Sequence, residues 1–419
     1  MILIYVSEIT SRVEYTFNFI FKLRGIEFEL TSDRLKFNSY SDSKLNYSSE
    51  QLDGYQILPN SICFEDTIEL KEVLWTKSSC LSINGNEDYV ASIFYLLSRY
   101  EEYTCTKRDD HGRFPFSESI LAQENKVERL NCDRWAEQVI RLINDSYLKE
   151  KTEVSIIPTF DIDNTFAYKL KTGKRMILSL LRDVFKGDKK RIRERSEVLN
   201  GAKDPFDTYE YIAKIGAEFP GTLLFWLVGD RAKLDRNISI QNKQHQAVIK
   251  SMDDLVEVNL HPSYASQDNV EIINKEKEEL SQVVGREIHK SRQHFLRLKL
   301  PDTYRSLLAA GFNEDYTMGF AEHVGFRSGT ARVHFWFDLG LNEVTPLKIH
   351  PFAYMDGTLN EYMNLTIEQS KSQISSLFKE VKEFGGDFIF LWHNETIGDY
   401  GKWKGWSSVL DYTLNLKDE

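Results

Sequence analysis

Residues 155–164 read SIIPTFDIDN, an apolar run that ends on two acids, Asp161 and Asp163, one residue apart. Side chains two apart on an extended strand point the same way, so both carboxylates would face one space. Like charges that close raise each other's cost of ionisation unless a cation sits beside them. The alternative is an Asx-type turn that closes the strand with local capping bonds. A second apolar run, LVEVNL, leads directly into His261, and a third, DFIFLW, leads into His393. Each histidine alone is either a metal ligand or a satisfied core residue. Together with the acids they put chemistry-bearing groups at three strand ends, and in a parallel sheet those ends converge on one face. Arg292, in KSRQHF, can grip a carboxylate with two hydrogen bonds or stand on a helix surface. Asp315, in FNEDYTMGF, either orients an imidazole or closes a turn.

These positions need a frame. From residue 154 onward, short apolar strands (154–160, 222–228, 255–260, 332–337, 345–350 and 387–392) alternate with helical stretches (207–218, 270–284, 302–310 and 366–384). That alternation implies βαβ units and a mainly parallel sheet or barrel. Residues 1–150 read as a smaller unit of mixed α and β. In it, MILIYV is a strand, RVEYTFNFIFKLRG a helix ended by Gly25, NEDYVASIFYLLSRYEEY a helix capped by Asn86 or Asp88, and CDRWAEQVIRLINDSYLKE a closing helix. The expected class is α/β, with an N-terminal α/β accessory domain over 1–150 and a mainly parallel sheet or barrel over 151–419. All four cysteines precede residue 150 and eight of the nine histidines follow it, which places the chemistry in the second part.

The chain of 419 residues carries a net charge of −11, which argues against a nucleic-acid footprint. Its start lacks the secretory pattern, since no basic region precedes the short apolar opening. No apolar run approaches the ~18 residues that would span a bilayer. The expectation is a cytoplasmic protein without a transmembrane segment. Cys63, Cys80, Cys105 and Cys132 form no CxxC pair and read as reduced structural thiols. Residues 173–200 are rich in Lys and Arg, either as a solvated helical insertion or as a face for an acidic polymer or a membrane.

The order of these pieces resembles the polysaccharide deacetylases, the metal-dependent carbohydrate esterases. Their TFDDG-like strand end is similar to TFDID at 159–163, and their Leu-x-His to LWH at 391–393. Their Arg-x-Pro-Tyr resembles RQHF at 292–295, and their acid after an AGF-like helix end resembles AGFNEDYTMG. Their His-Ser/Thr-x-x-His motif matches HPSYA only at its first position. More narrowly, the chain resembles a bacterial subgroup with an added N-terminal domain, through FYLLSRYEEY (94–103), HGRF (111–114), SRQHFL (291–296), DYTMGF (315–320), GFRSGT (325–330) and MDGTL (355–359).

The resemblance implies a distorted (β/α) barrel and a hydrolase that removes an N-acetyl or related acyl group from an amino sugar of a glycan or its precursor. Asp161 would be the general base, held by Arg292. Asp163 and His261 would bind a divalent metal, zinc. His393, oriented by Asp315, would protonate the leaving amine. The family's second histidine ligand falls on Ala265, which has no donor atom. Three options follow: a third ligand from elsewhere (His294, His289 or the adjacent Ser266), a weakly held metal, or a domain that has lost catalysis and only binds glycan. A glycosidase of the same architecture would need carboxylates roughly 5–10 Å apart, and Asp161 and Asp163 are too tightly paired for that. Gly325 and Gly329 bracket Arg327 in a tight loop, as a clamp on substrate or as a surface turn. Trp392, Tyr316 and Tyr264 either stack on a sugar ring or fill core. Asp356, in Met-Asp-Gly before a helix, reads more simply as a cap than as a site residue. The SRYEEYTCTKRDDHGRF stretch reads as a docking surface for the second domain, with a contribution to the cleft as the alternative.

Overall fold

The structure is a computed structural model that describes residues 1–77, 80–148, 154–171, 174–185, 187–229, 232 and 234–418, with the backbone alone over 174–179. Strands β1 (Ile2–Val6), β2 (Phe28–Thr31), β3 (Lys44–Tyr47) and β4 (Tyr55–Gln56) form a parallel sheet in the order β2-β1-β3-β4. A small antiparallel sheet follows, of β5 (Val73–Trp75), β6 (Leu81–Ile83) and β7 (Asn86–Glu87). The helix Ser11–Ile20 opens where Thr10 accepts from the Val13 N–H, and its trailing 3₁₀ turn ends at Gly25 with φ 67°. Asp88 caps the helix Tyr89–Leu97. The helix expected over 86–103 breaks at Arg99, whose φ is 55°. That left-handed residue turns its buried guanidinium onto Glu101 and Glu102 and the Arg327 carbonyl.

The second sheet has nine strands: β8 (Ser155–Ile162), β9 (Leu223–Leu227), β10 (Glu257–His261), β11 (Lys290–Ser291), β12 (Glu314–Asp315), β13 (His334–Asp338), β14 (Glu343–Ile349), β15 (Tyr354–Met355) and β16 (Asp387–His393). Their order is β13-β14-β12-β11-β10-β9-β8-β16-β15, parallel throughout except for β13 against β14. The sheet curls into a half-barrel. No ladder joins its two edges among the described residues. Instead, residues 350–353 cross from β12 to β16: the His350, Phe352 and Ala353 N–H groups donate to the Asp315, Met318 and Ile389 carbonyls. Gly319 makes room for this crossing, since a Cβ there would stand 2.2 Å from the Phe352 ring.

Side chains alternate across the strands. Ile157, Leu223, Phe225, Ile389 and Leu391 fill the concave interior, while Phe160, Leu224, Trp226, Phe390 and Trp392 pack against the outer helices. The register sets His393 beside Asp161 and His261 beside Leu227, with Ile162 beside Trp226. Asp161, Asp163, His261 and His393 therefore share the inner face at the carboxyl ends of their strands.

The first 148 residues are sealed to this sheet. Phe320, Phe337 and Leu339 join the N-terminal core. Gly325 allows the Val127 backbone to approach to 2.6 Å of where a Cβ would be. The expected tight loop at Arg327 is present, but its guanidinium is buried and forks onto Glu102 at 2.6 and 2.9 Å. Asp133 likewise collects Arg24, Arg332 and Thr330. None of the four cysteines is in a disulfide, and no described helix is long and apolar enough to cross a membrane.

Breaking a buried pair leaves an uncompensated charge. Glu102→Gln, which strands Arg327 and Arg99, lowers the unfolding free energy by about 3–5 kcal/mol in denaturant titration. Leu35→Gln, at a surface position, changes it by less than about 0.5 kcal/mol.

Candidate metal centre

Asp163 follows the last residue of β8 and meets imidazoles from three sides. His261 Nε2 stands 3.3 Å from its Oδ1 and His294 Nε2 3.5 Å from its Oδ2. His393 Nε2 lies 4.0 Å from Oδ2. Each ring is fixed through its other nitrogen. His261 Nδ1 faces the Arg292 carbonyl at 2.5 Å, and since a carbonyl only accepts, Nδ1 carries the proton. His294 Nδ1 donates to Asp235 at 2.9 Å, and His393 Nδ1 to Asp356 at 2.8 Å. With its Nδ1–H donated to the Arg292 carbonyl, His261 points Nε2 at Asp163 Oδ1, where a lone pair can serve a cation. Accordingly, the buried Asp163 Oδ1 accepts no hydrogen bond despite the short approach.

A carboxylate oxygen without a donor, facing the His261 lone pair, is what a cation would satisfy. One donor atom each from Asp163, His261 and His294 can be chosen so that all lie within 4.8 Å of one another. Two imidazoles and a carboxylate, each imidazole backed by a hydrogen-bond acceptor, form a donor set that suits zinc with an open position. Of the residues the sequence offered for a third donor, His294 is the one that lies in this cluster. Ser266 does not: its hydroxyl donates to the Ser263 carbonyl. His289 faces the opposite end of β11, near Glu287 and the Gly311 carbonyl. Ala265 contributes through its backbone, since its N–H and that of Tyr264 donate to Asp235 at 3.2 and 2.7 Å.

The charges follow from this arrangement. Burial alone would push the Asp163 carboxyl up, but the charge of the facing His294, with that of His393, holds it well below the usual range. Burial likewise opposes charge on His294, yet Asp163 and Asp235 push its pKa up to about 9. His393 is raised well above its ordinary value because Asp356 outweighs burial. Glu395, on the cleft wall, is pushed up to about 7 by burial and then by the Asp163 charge. Asp161 lies buried beside the centre with Oδ1 3.0 Å from Arg292 Nη1 and Oδ2 3.7 Å from His261 Nε2.

The partner of His393 is Asp356 rather than the expected Asp315. Asp356 accepts from the His393 ring and N–H, from Gly357 and from Thr396. Asp315 is buried on Thr317 and Ser291, where it closes the end of β12. The expected substrate contacts are also redistributed. Arg327 is spent on Glu102, and Trp392 points outward into the helix layer, with its indole near the Tyr354 hydroxyl. Tyr316 stacks on His350 inside the barrel. Tyr264 lies under the Arg297 guanidinium at 3.8 Å, packed edge-on against Phe295. The cleft of about 480 Å³ over the centre is walled instead by Phe206, Phe295, Tyr362, Tyr400 and Trp403, with Arg113 reaching in from the N-terminal part.

Arg113 also braces the centre. Phe295 and Leu296, directly after His294, have φ of 60° and 52°. Side chains there cost about 1–3 kcal/mol each. Arg113 Nη1 donates to the Phe295 carbonyl at 2.9 Å, and Arg297 Nε to the His111 carbonyl at 2.9 Å. The HGRF stretch therefore clamps the turn that carries His294.

A family of unknown function, DUF7033, matches residues 2–148. A search of curated proteins returns no match. Among solved structures, the chain is similar to an assigned polysaccharide deacetylase of Mycobacterium smegmatis, with 14% identity over 64% of this chain and 86% of that one, TM-score 0.41. It is similar to an assigned polysaccharide deacetylase of O-antigen biosynthesis from Bordetella bronchiseptica, with 12% identity over 63% and 81%, TM-score 0.33. It is also similar to the PuuE allantoinase, with 10% identity over 63% and 83%, TM-score 0.37.

The expected outcome is that the purified protein takes up one divalent ion in metal analysis and calorimetry, and that His261→Ala or His294→Ala abolishes uptake. Asp235→Asn and Arg113→Ala weaken affinity by about 10–100-fold. The ion must displace the His294 proton, so affinity rises about tenfold per pH unit and levels off near 9. In chelated protein, the protonated His294 contributes its full stability below 6.5, and that contribution is lost as the pH rises through about 9. Chelated protein therefore melts lower in alkaline than in neutral buffer.

Proposed function

We propose that the chain is a metal-dependent hydrolase that removes an N-acetyl or related acyl group from an amino sugar of a polysaccharide or its precursor. The observation that carries this reading is the common aim of three Nδ1-anchored imidazoles on Asp163, beside an Arg292-held Asp161. Asp163, His261 and His294 would hold the ion, zinc by donor type. When bound, it polarises an acyl carbonyl and lowers the pKa of a water. Asp161 takes the proton from the attacking water, and Arg292 fixes its Oδ1 so that Oδ2 remains on the reacting side. His393, kept protonated by Asp356, gives its Nε2 proton to the amine nitrogen as the carbonyl carbon–nitrogen bond breaks. The aromatic walls of the cleft offer faces for pyranose rings.

With this reading, residues 151–419 are a distorted barrel of the polysaccharide deacetylase type and residues 1–150 an accessory domain fused to it. His294, beside Asp163, offers the donor that Ala265 lacks, and this favours an enzyme over a module that only holds glycan.

Metal-loaded protein releases acetate from a panel of N-acetylated oligosaccharides, and Asp161→Asn or His393→Gln lowers kcat by about 10²–10⁴-fold. Asp356→Asn removes the charge that raises the His393 pKa, so the alkaline limb of the kcat/KM profile moves to lower pH. No release from the whole panel by loaded wild type contradicts the reading.

A further inference from the structure

We propose that the helical hairpin spanning Lys174–Phe185 and Lys189–Leu199 docks this protein on an anionic membrane surface, next to the mouth of the cleft. The first helix leaves Leu180, Leu181, Val184 and Phe185 exposed at 38%, 57%, 56% and 97%. At the helical period these four positions share one arc of about 140°. Large apolar side chains are seldom left together on a surface without a partner.

The charge around the stripe names the partner. Residues 174–195 hold nine Lys and Arg against three Asp and Glu, in a chain whose net charge is −11. Buried Asp183 ties the two helices together through Arg191 at 3.3 Å and Arg195 at 2.5 Å. Arg182, Lys189 and Lys190 stay exposed. An apolar stripe rimmed by cations on a helix too short to span is the pattern of a helix lying in the headgroup layer of acidic lipid.

The hairpin adjoins the site. Glu194, on its second helix, accepts from the Tyr168 and Tyr400 hydroxyls at 3.2 and 2.7 Å, and Tyr400 walls the cleft. Docking through this face brings the cleft mouth to the bilayer. The inference does not rest on the hydrolase reading, since binding is measured without turnover.

The test is sedimentation of the 419-residue chain with vesicles of phosphatidylcholine alone or mixed with phosphatidylglycerol, at low and high salt. The protein pellets with the mixed vesicles, loses that binding in high salt, and stays in solution with phosphatidylcholine. Leu181→Glu/Phe185→Glu and Arg182→Glu/Lys189→Glu each weaken pelleting by at least about tenfold, with unchanged circular dichroism and metal content. Wild type that stays in solution with mixed vesicles at low salt overturns the proposal. So do variants that pellet like wild type, or a light-scattering dimer abolished by Phe185→Glu, which would assign the stripe to a second copy.

Discussion

Two carboxylates at the inner end of one buried strand are the constraint around which the site is built. Asp161 and Asp163 face the same space by strand geometry, and two like charges so close call for positive charge beside them. The fold answers each differently. Asp161 meets the buried Arg292 guanidinium and becomes one half of a fixed ion pair. Asp163 receives only nitrogen, from rings whose far sides are pinned by the Arg292 carbonyl, Asp235 and Asp356. Without an ion, protons on His294 and His393 supply the missing positive charge, and this is why both pKa values rise despite burial.

That arrangement reaches well beyond the second sheet. The His294 turn carries two left-handed residues, and a turn of that kind persists only where its surroundings over-determine it. Here the surroundings include Arg113 and the His111 carbonyl from the N-terminal part. The Glu102–Arg327 fork and the Asp133 cluster hold the same two parts together elsewhere along the seam. The N-terminal part is thereby a structural member of the centre as well as a wall of the cleft.

Much of this was legible in the sequence, for physical reasons. Strands announce themselves by short apolar runs, and residues at their ends in a parallel sheet must converge, so Asp161, Asp163, His261 and His393 could be placed together from spacing alone. Side-chain parity was equally available: Trp392 lies between Leu391 and His393, and it had to face the other way from both. Asp235 was not legible. It sits in irregular chain outside any strand, and only the fold brings it under His294. Nor could spacing choose between Asp315 and Asp356 for His393, because both acids stand near strand ends, and the choice is made by the chain crossing that carries residues 350–355 across the open seam of the sheet. Arg327 misled because a glycine-flanked arginine looks the same whether its charge faces solvent or a buried glutamate.

The central claim is that Asp163, His261 and His294 grip one cation. Anomalous diffraction from crystals grown with zinc, measured on both sides of its absorption edge, tests this most directly. The account predicts a single strong peak bounded by an Asp163 carboxylate oxygen and the Nε2 atoms of His261 and His294, absent in His294→Ala crystals. A map without that peak, or with zinc held elsewhere while the three side chains keep their hydrogen bonds, would contradict it.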